Sequence, residues 1–468
     1  MEQSLKWIRR AVAALFAALT LWTAYWSVVA GPFLSAHPRN LRRARLEAEV
    51  EPGGIYARGG EALSVTGRME DGPKRIFVGP DSLAHTVGYR HPRFGKAGLE
   101  AALDAYLTGG AGATGLLPWW LIPGGRRRGW DVVTTLHLPL QEEAARALGG
   151  RTGAVVVMDP RDGAVLAMVS EPGFDPDRLE SYLEEGSGAG APLFNRATQG
   201  QYPPGSVFKP VVLAAALEAG LVGPDTVFWD TGSVRVGGRT IRNAGGAALG
   251  AVGLDEALAH SSNAVFASLG AALGAGELHD FAARLGIGRR PGIEIAAAPG
   301  RLPAAEELDD EAARAEVSIG QGALLVTPLQ MAVVASAVAN GGYKVEPTLV
   351  LAVRPPGQSA RQLERAAPVR VMSPGTARVV KEAMVAAVLR GTAREVEWPG
   401  ARAAAGKTGT AENPHGQPHA WFIGFYPADE PEIAVAVVVE NGGFGSVSAV
   451  PVARSLFAAW DWIRASGR

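Results

Sequence analysis

Gln201-Tyr-Pro-Pro-Gly-Ser206-Val-Phe-Lys209-Pro-Val-Val-Leu213 is the stretch around which the chain is organised. Its Pro-Pro-Gly turn delivers a serine to an apolar run that predicts a helix from about Ser206 to Gly220. Residues three apart share a helix face, so Lys209 is expected one turn behind Ser206, its amine within reach of the hydroxyl. A serine hydroxyl is a weak nucleophile until a base takes its proton, and a lysine can do so only if its pKa is lowered. Burial at an apolar helix base beside other cations would lower it. Only seven of the 45 basic residues are lysine, yet one stands here and another in a second motif. Arginine stays protonated and cannot serve as a base, so the choice of lysine carries information. Taken alone, Ser-x-x-Lys reads as the start of a surface helix. Two further motifs change that reading.

At 468 residues the chain is long enough for two or three domains and a large core. It is 47% hydrophobic and 19% charged with net charge −1, which gives no general electrostatic case for nucleic acid. It has no cysteine, which excludes disulfides, thiolate zinc sites and cysteine nucleophiles. The eight histidines are scattered apart from His415 and His419, and Pro418 between those two argues against a helical metal pair. No metal and no cofactor are expected.

Lys6, Arg9 and Arg10 precede Ala11–Ala30, an uncharged run long enough to span a bilayer, with Trp22, Tyr25 and Trp26 toward its far end. Arg39, Arg42, Arg43 and Arg45 follow on the other side, so charge alone leaves orientation open. Long following domains translocate largely regardless of such charges, and the preferred reading is N-terminus inside with the bulk outside. A cleaved signal peptide is the alternative. The expected division is a tail over 1–10, a membrane anchor over 11–30, a small irregular β-rich region over 31–150 and a larger α+β domain over 151–468. In the smaller region Gly53–Gly60 reads as a turn-rich strand pair, and Gly95–Glu100 leads into a helical run to Leu107. Gly109–Gly115 reads as a flexible link. Trp119 and Trp120 beside Arg126–Arg128 read as a loop folded back on its domain, in preference to a membrane or partner contact.

From Gly153 the pattern changes. Gly153–Met158 and Ala164–Met168 read as a hairpin, apolar helices follow between about 206 and 340, and strands return at Ala404–Thr410, Trp421–Tyr426 and Ile433–Glu440. A last amphipathic helix is expected over Val452–Ala465. Strands at both ends with helices between predict one antiparallel sheet built from the first and last strands.

Three features lie in that domain: Ser206-Val-Phe-Lys209, then Ser261-Ser-Asn263 at a helix start, then Lys407-Thr-Gly-Thr410 on a strand. In this order they resemble the Ser-x-x-Lys, Ser-x-Asn and Lys-Thr-Gly set of penicillin-binding proteins and serine β-lactamases. Asn195-Arg-Ala197, Ser318–Gly322, Thr327–Met331, Ala339–Gly342 and His419–Gly424 extend the resemblance to class B penicillin-binding proteins. The Gly53–Gly60 and Gly95–Glu100 segments are similar to that class's N-terminal pedestal, a dimerisation-like domain. The likeness runs over roughly residues 50 to 465.

The resemblance implies a transpeptidase fold, an antiparallel sheet flanked by helices plus an all-helical lobe, and a peptidoglycan D,D-transpeptidase activity. Ser206 would attack between two D-alanines of a stem peptide, with Lys209 as its base. Ser261 would relay the proton, tuned by Lys407, and Asn263 would hold Lys209 and the substrate amide. Thr408 and Thr410 would take the terminal carboxylate, and Gly409 would admit the substrate closely. The N–H groups of Ser206 and Thr410 would form the oxyanion hole, and β-lactams would acylate Ser206. The rivals are a β-lactamase, for which no water-activating motif is assignable, and a noncatalytic scaffold, which has no use for paired lysines. About 120 residues of pedestal cannot hold a glycosyltransferase, so the resemblance implies a SEDS-type membrane glycosyltransferase as partner. His260 invites a Ser/His/Asp reading, but no acid is assigned to it and a packed or capping role is preferred. Gly406-Lys-Thr resembles a phosphate-binding loop, yet Ala401 stands where that motif needs glycine and no helix follows. Ser262 reads as a spacer pointing away from the pocket.

Overall fold

The computed structural model describes residues 2–31, 50–69, 72–110, 127–184, 190–394, 398, 403–414 and 416–466. It opens on helix α1 (Glu2–Ala24), which continues as a π-helical segment over Tyr25–Ala30. The 29-residue stretch Glu2–Ala30 has its apolar side chains exposed rather than packed on protein. At 1.5 Å per residue such a helix rises about 43 Å, more than the roughly 30 Å hydrocarbon layer, so it fits a single membrane span.

Strands β1 (Ile55–Tyr56), β2 (Ala62–Met69) and β3 (Gly72–Phe77) follow as an antiparallel meander. The helical run expected before Leu107 breaks at Leu103 into α2 (Gly98–Ala102) and α3 (Asp104–Leu107). Its anchor is Glu100, fully buried and bonded by Ser64 Oγ at 2.7 Å and Arg75 Nε at 2.6 Å. A carboxylate so far from water is costly to bury without hydrogen-bond partners of this kind. Trp119, Trp120 and Arg126 lie outside the described residues. Strand β4 (Asp131–Thr134) and helix α4 (Leu138–Leu148) complete this half of the chain.

The second half begins with the hairpin β5 (Gly153–Met158) and β6 (Val165–Glu171). Next come α5 (Lys209–Glu218), the short ladder β7 (Val227–Asp230) with β8 (Gly250–Gly253), α6 (Leu254–Ala259), α7 (Asn263–Ala272) and α8 (Pro328–Ala339). The β7/β8 pair and a hairpin over 233–242 lie among the apolar helices that the sequence predicts between about 206 and 340. Strands β9 (Val350–Arg354) and β10 (Arg361–Gln362) precede α9 (Pro374–Leu389), and β11 (Ala405–Ala411), β12 (His419–Tyr426), β13 (Ile433–Val439) and α10 (Val450–Ser466) end the fold.

Two sheets result. The five-stranded core sheet has the order β6-β5-β13-β12-β11, antiparallel throughout, so the first and last strands of the domain pair as expected. Its strands are buried on both faces, which is why Ile433–Val439 reads IAVAVVV without polar alternation. Val156, Met158, Ala436 and Val438 join the core that contains α8, whereas Val155, Val157, Val435 and Val437 join the core that contains α4 and α10. Each such valine contributes about 1.5–3 kcal/mol on burial. The second sheet has the order β10-β9-β4-β1-β2-β3 and recruits β9 from more than 200 residues downstream of β4. α10 covers one face of the core sheet together with α4, and begins at Val450.

Candidate active site

Ser206 lies on a 3-10 turn, Gly205–Phe208, that runs directly into α5. In a 3-10 turn residues three apart eclipse, which brings Ser206 and Lys209 to one side. The turn is docked on the core sheet. Gly205 has φ +56, and a Cβ there would lie 2.7 Å from the Thr410 carbonyl oxygen. Trp421 Nε1 of β12 donates to the Pro203 carbonyl at 3.1 Å, and Gly205 N–H donates to the Gly320 carbonyl at 2.9 Å. The serine therefore sits on backbone pinned from two directions, next to β11.

Lys209 is fully buried. Its amine donates to the Ser261 carbonyl at 2.7 Å and to Asn263 Oδ1 at 2.7 Å, with Ser261 Oγ at 3.1 Å. The expected reach toward Ser206 is not a hydrogen bond here, because a buried amine turns to the strongest acceptors available and these three oxygens satisfy it. Burial, reinforced by the charge of Lys407, pushes Lys209 well below the ordinary amine range, and Asp230 opposes that shift. Lys407 on β11 is also fully buried, with its amine on the Thr408 carbonyl at 2.8 Å, and desolvation lowers it to about 7.

The Ser261–Asn263 loop joins α6 to α7. Ser261 has φ +59, left-handed for a residue with a side chain, and this conformation turns its carbonyl and hydroxyl to the same lysine. Asn263 Nδ2 donates to the Arg242 carbonyl at 2.8 Å, fixing which amide atom faces Lys209. Ser262 points away as expected, but it is no idle spacer: its hydroxyl caps α7 and donates to Asp230.

On β11, Lys407, Thr408, Gly409 and Thr410 pair with Ile423, Phe422, Trp421 and Ala420 of β12. β11 is the edge of its sheet, so its second side bears no strand among the described residues. A Cβ at Gly409 would come within 3.0 Å of Pro204 O and Val207 Cγ1, a contact that only glycine leaves open. Thr408 Oγ1 lies 2.5 Å from Thr392 Oγ1, and Gly445 N–H reaches Thr410 Oγ1 at 3.5 Å.

Three elements thus deliver one lysine to one serine–asparagine loop beside a second lysine. Sequence reasoning missed Asp230, Asn243 and Thr392, which touch the motif residues from segments with no motif of their own. It also missed Glu440 at the end of β13, which accepts from Arg196 Nε at 2.8 Å and Tyr202 OH at 2.7 Å and so braces the approach to the Ser206 turn. A lone carboxylate closing an all-apolar strand was the available signal. His260 does have an acid partner: its Nε2 lies 3.1 Å from Glu256 Oε2 one helical turn back. That pair is at the C-terminal cap of α6, and Glu256 is also bridged by Arg390, so the imidazole is a capping residue beside a carboxylate already engaged by an arginine. Lys407 sits on a strand followed by another strand, the opposite of a phosphate-binding loop. His419 packs its ring on Tyr202, and His415 lies outside the described residues.

Comparison with known proteins gives a uniform picture. The family model described as the penicillin-binding protein transpeptidase domain matches residues 153–458. The peptidoglycan D,D-transpeptidase PbpA of Mycobacterium tuberculosis is 33% identical over 499 aligned positions, covering 98% of this chain and 99% of the relative. Among solved structures, the D,D-transpeptidase domain of a peptidoglycan glycosyltransferase from Eggerthella lenta superposes with a TM-score of 0.80 at 32% identity, over 90% of this chain and all of that one. Penicillin-binding protein A of M. tuberculosis, as a ceftriaxone acyl-enzyme, gives 0.79 at 32% identity over 88% of this chain and 99% of that one.

Proposed function

The chain belongs to the penicillin-binding protein transpeptidase family, as a class B member, and from that premise we propose how its own residues carry the reaction. The protein is a peptidoglycan D,D-transpeptidase, a serine enzyme of cell-wall synthesis that binds β-lactams. Ser206 Oγ attacks the carbonyl carbon between two D-alanines of a stem peptide while Lys209 takes the hydroxyl proton. The tetrahedral oxygen is met by the N–H groups of Ser206 and Thr410. Ser261 passes a proton to the departing amine, terminal D-alanine leaves, and an ester remains on Ser206. An amine of a neighbouring stem then attacks the ester, its proton returns by the same relay, and the cross-link forms as Ser206 regains its hydroxyl. A β-lactam takes the donor's place and stops at the ester.

The observation that carries this reading is the set of contacts at the Lys209 amine. Two oxygens that can only accept, the Ser261 carbonyl and Asn263 Oδ1, take two protons, and one hydroxyl lies on the third direction. A neutral amine satisfies that set by receiving the Ser261 hydroxyl proton on its lone pair, and an ammonium satisfies it by donating a third proton. The set of contacts therefore suits both protonation states, and taking the Ser206 proton requires the lone pair to turn from Ser261 Oγ to Ser206 Oγ. The unpaired edge of β11 suits an extended donor peptide added as a further strand, with Thr408, Thr410 and Lys407 toward its carboxylate and Gly409 leaving room for it. Substrate amide and Lys209 would share Asn263.

The Glu2–Ala30 helix fits a single-pass anchor. Lys6, Arg9 and Arg10 at its start support an N-terminus inside the cytoplasm and a catalytic domain outside, with residues 31–150 as pedestal and 151–468 as transpeptidase domain. The pedestal and anchor together would meet a SEDS-type glycosyltransferase that supplies glycan strands.

The test is the intact mass of the full chain in detergent after exposure to a penicillin. A lasting adduct that Ser206→Ala abolishes supports the scheme. Rapid drug hydrolysis without adduct would make the protein a β-lactamase, and folded protein with neither would make it a scaffold.

A further inference from the structure

The bonds that shape the Lys209 pocket converge on a carboxylate with no part in the chemistry above. Asp230 ends β7 and is 2% exposed. Its Oδ2 accepts from Ser262 Oγ at 2.6 Å and from Asn243 Nδ2 at 2.8 Å, and its Oδ1 accepts from Gly232 N–H at 2.7 Å and from Asn243 Nδ2 at 3.0 Å. Asn243 relays the tie: its Oδ1 accepts from Ala264 N–H at 2.9 Å. Ser262 and Ala264 are the two neighbours of Asn263, so one carboxylate grips the chain on both sides of a Lys209 partner. Ser262 is also the residue after Ser261, whose left-handed backbone persists only where the surroundings over-determine it.

Charge adds to geometry. Every one of these partners donates, so an amide, with a single oxygen, could accept only part of the set, and a buried carboxylate is costly to keep ionised unless a cation repays it. The hydrogen bonds from Ser262, Gly232 and Asn243, with the charge of Lys209, hold Asp230 below the usual carboxylate range. Facing Lys209 are Lys407 from β11, Asp230 from β7 and the Phe266 ring of α7, whose centroid is 5.6 Å from the amine.

We propose that Asp230 is a positioning residue for acylation: through Ser262 and Asn243 it fixes the Ser261–Asn263 loop, and it supplies the negative charge opposite the Lys209–Lys407 pair. This rests on the reading of Lys209 as the base. The amine works only when neutral. Asp230 favours its charged form, so removing that carboxylate lowers the pH at which the amine becomes available and leaves a weaker base.

The experiment is the second-order rate of acylation of the full chain in detergent by a fluorescent penicillin, followed across pH. Asp230→Asn keeps the shape and removes the charge. It is expected to move the acid limb down by about one pH unit and to lower the plateau about tenfold. Ser262→Ala cuts the tie, together with the α7 cap, but keeps the charge, so it slows acylation about fivefold with the limb unmoved, and Ser262→Thr restores the rate. An Asp230→Asn profile that superimposes on wild type, or one lowered equally at every pH, overturns the proposal while leaving the transpeptidase reading intact. A wild type that takes no penicillin overturns both. Should Asp230→Asn fail to show a thermal unfolding transition, the Ser262 pair decides: a wild-type rate in Ser262→Ala overturns the proposal, and loss with rescue by threonine supports it.

Discussion

The two lysines are the residues whose identity matters most, because each has been made a poor place for a charge. Lys209→Arg keeps a cation in the pocket but cannot deprotonate, so penicillin acylation should fall by about a thousandfold or more, close to Ser206→Ala. Stopped-flow or gel-based acylation rates check this, and robust acylation by Lys209→Arg would remove Lys209 as the base. Lys407 gives a prediction on stability. Its folded value is about 7 against an ordinary 10.5, so between those two values the unfolded chain holds a proton the folded protein lacks. Stability from this group thus grows as pH rises through that window, and as pH falls it is lost across the same window and is gone by about 7. Lys407→Met does not titrate. Its melting temperature should therefore exceed that of wild type most near pH 6 and progressively less toward about pH 10, measured by differential scanning fluorimetry. The choice of lysine over arginine at both positions was legible in the sequence. Of the three oxygens that turn Lys209 away from Ser206, Asn263 Oδ1 was expected from the resemblance, whereas the Ser261 carbonyl and hydroxyl were not, because their placement depends on the φ of Ser261.

At the scale of elements, the Ser206 turn works only because it presses on β11 at Gly205. Alanine there would need a left-handed φ and would put its Cβ 2.7 Å from the Thr410 carbonyl oxygen. That oxygen belongs to a paired strand and cannot move alone. Gly205→Ala should cost about 1–3 kcal/mol of stability and slow acylation at least tenfold, since the shift moves Ser206 relative to the Thr410 N–H. Thermal unfolding and acylation rates of the same preparation check both halves, and unchanged acylation would show that the turn tolerates displacement. Core strands β5, β6, β12 and β13 were readable as apolar runs, and β11 was readable through its motif. The ladder β7/β8 was not, because Val227–Asp230 is short and mostly exposed and gains its place by delivering one buried aspartate. Such an element carries no periodicity strong enough to separate it from a loop.

The whole molecule is divided differently by packing than by the chain. Removing 2–31 takes away a helix with its apolar side chains exposed, and the remainder should take up penicillin at a rate within about twofold of the full chain. Cutting at 151 is another matter. It removes α4, whose Leu140, Ala144 and Leu148 are fully buried in the core shared with β5, β13 and α10. It also strips β4 from β9, leaving Val350–Arg354 without the partner it pairs with over four positions. Two leucines at about 1.5–3 kcal/mol each already approach the 5–15 kcal/mol that typically holds a domain together, before the bare sheet face and the open strand edge are counted. A 151–468 fragment should therefore be recovered as aggregate or as a species without a cooperative melt, and it should take no penicillin. A fragment from 135 onward restores α4 but still lacks β4 and the elements before it, so partial recovery of acylation there would assign the failure to the exposed sheet face. A soluble, acylating 151–468 fragment would instead show that α4 merely leans on a domain complete without it.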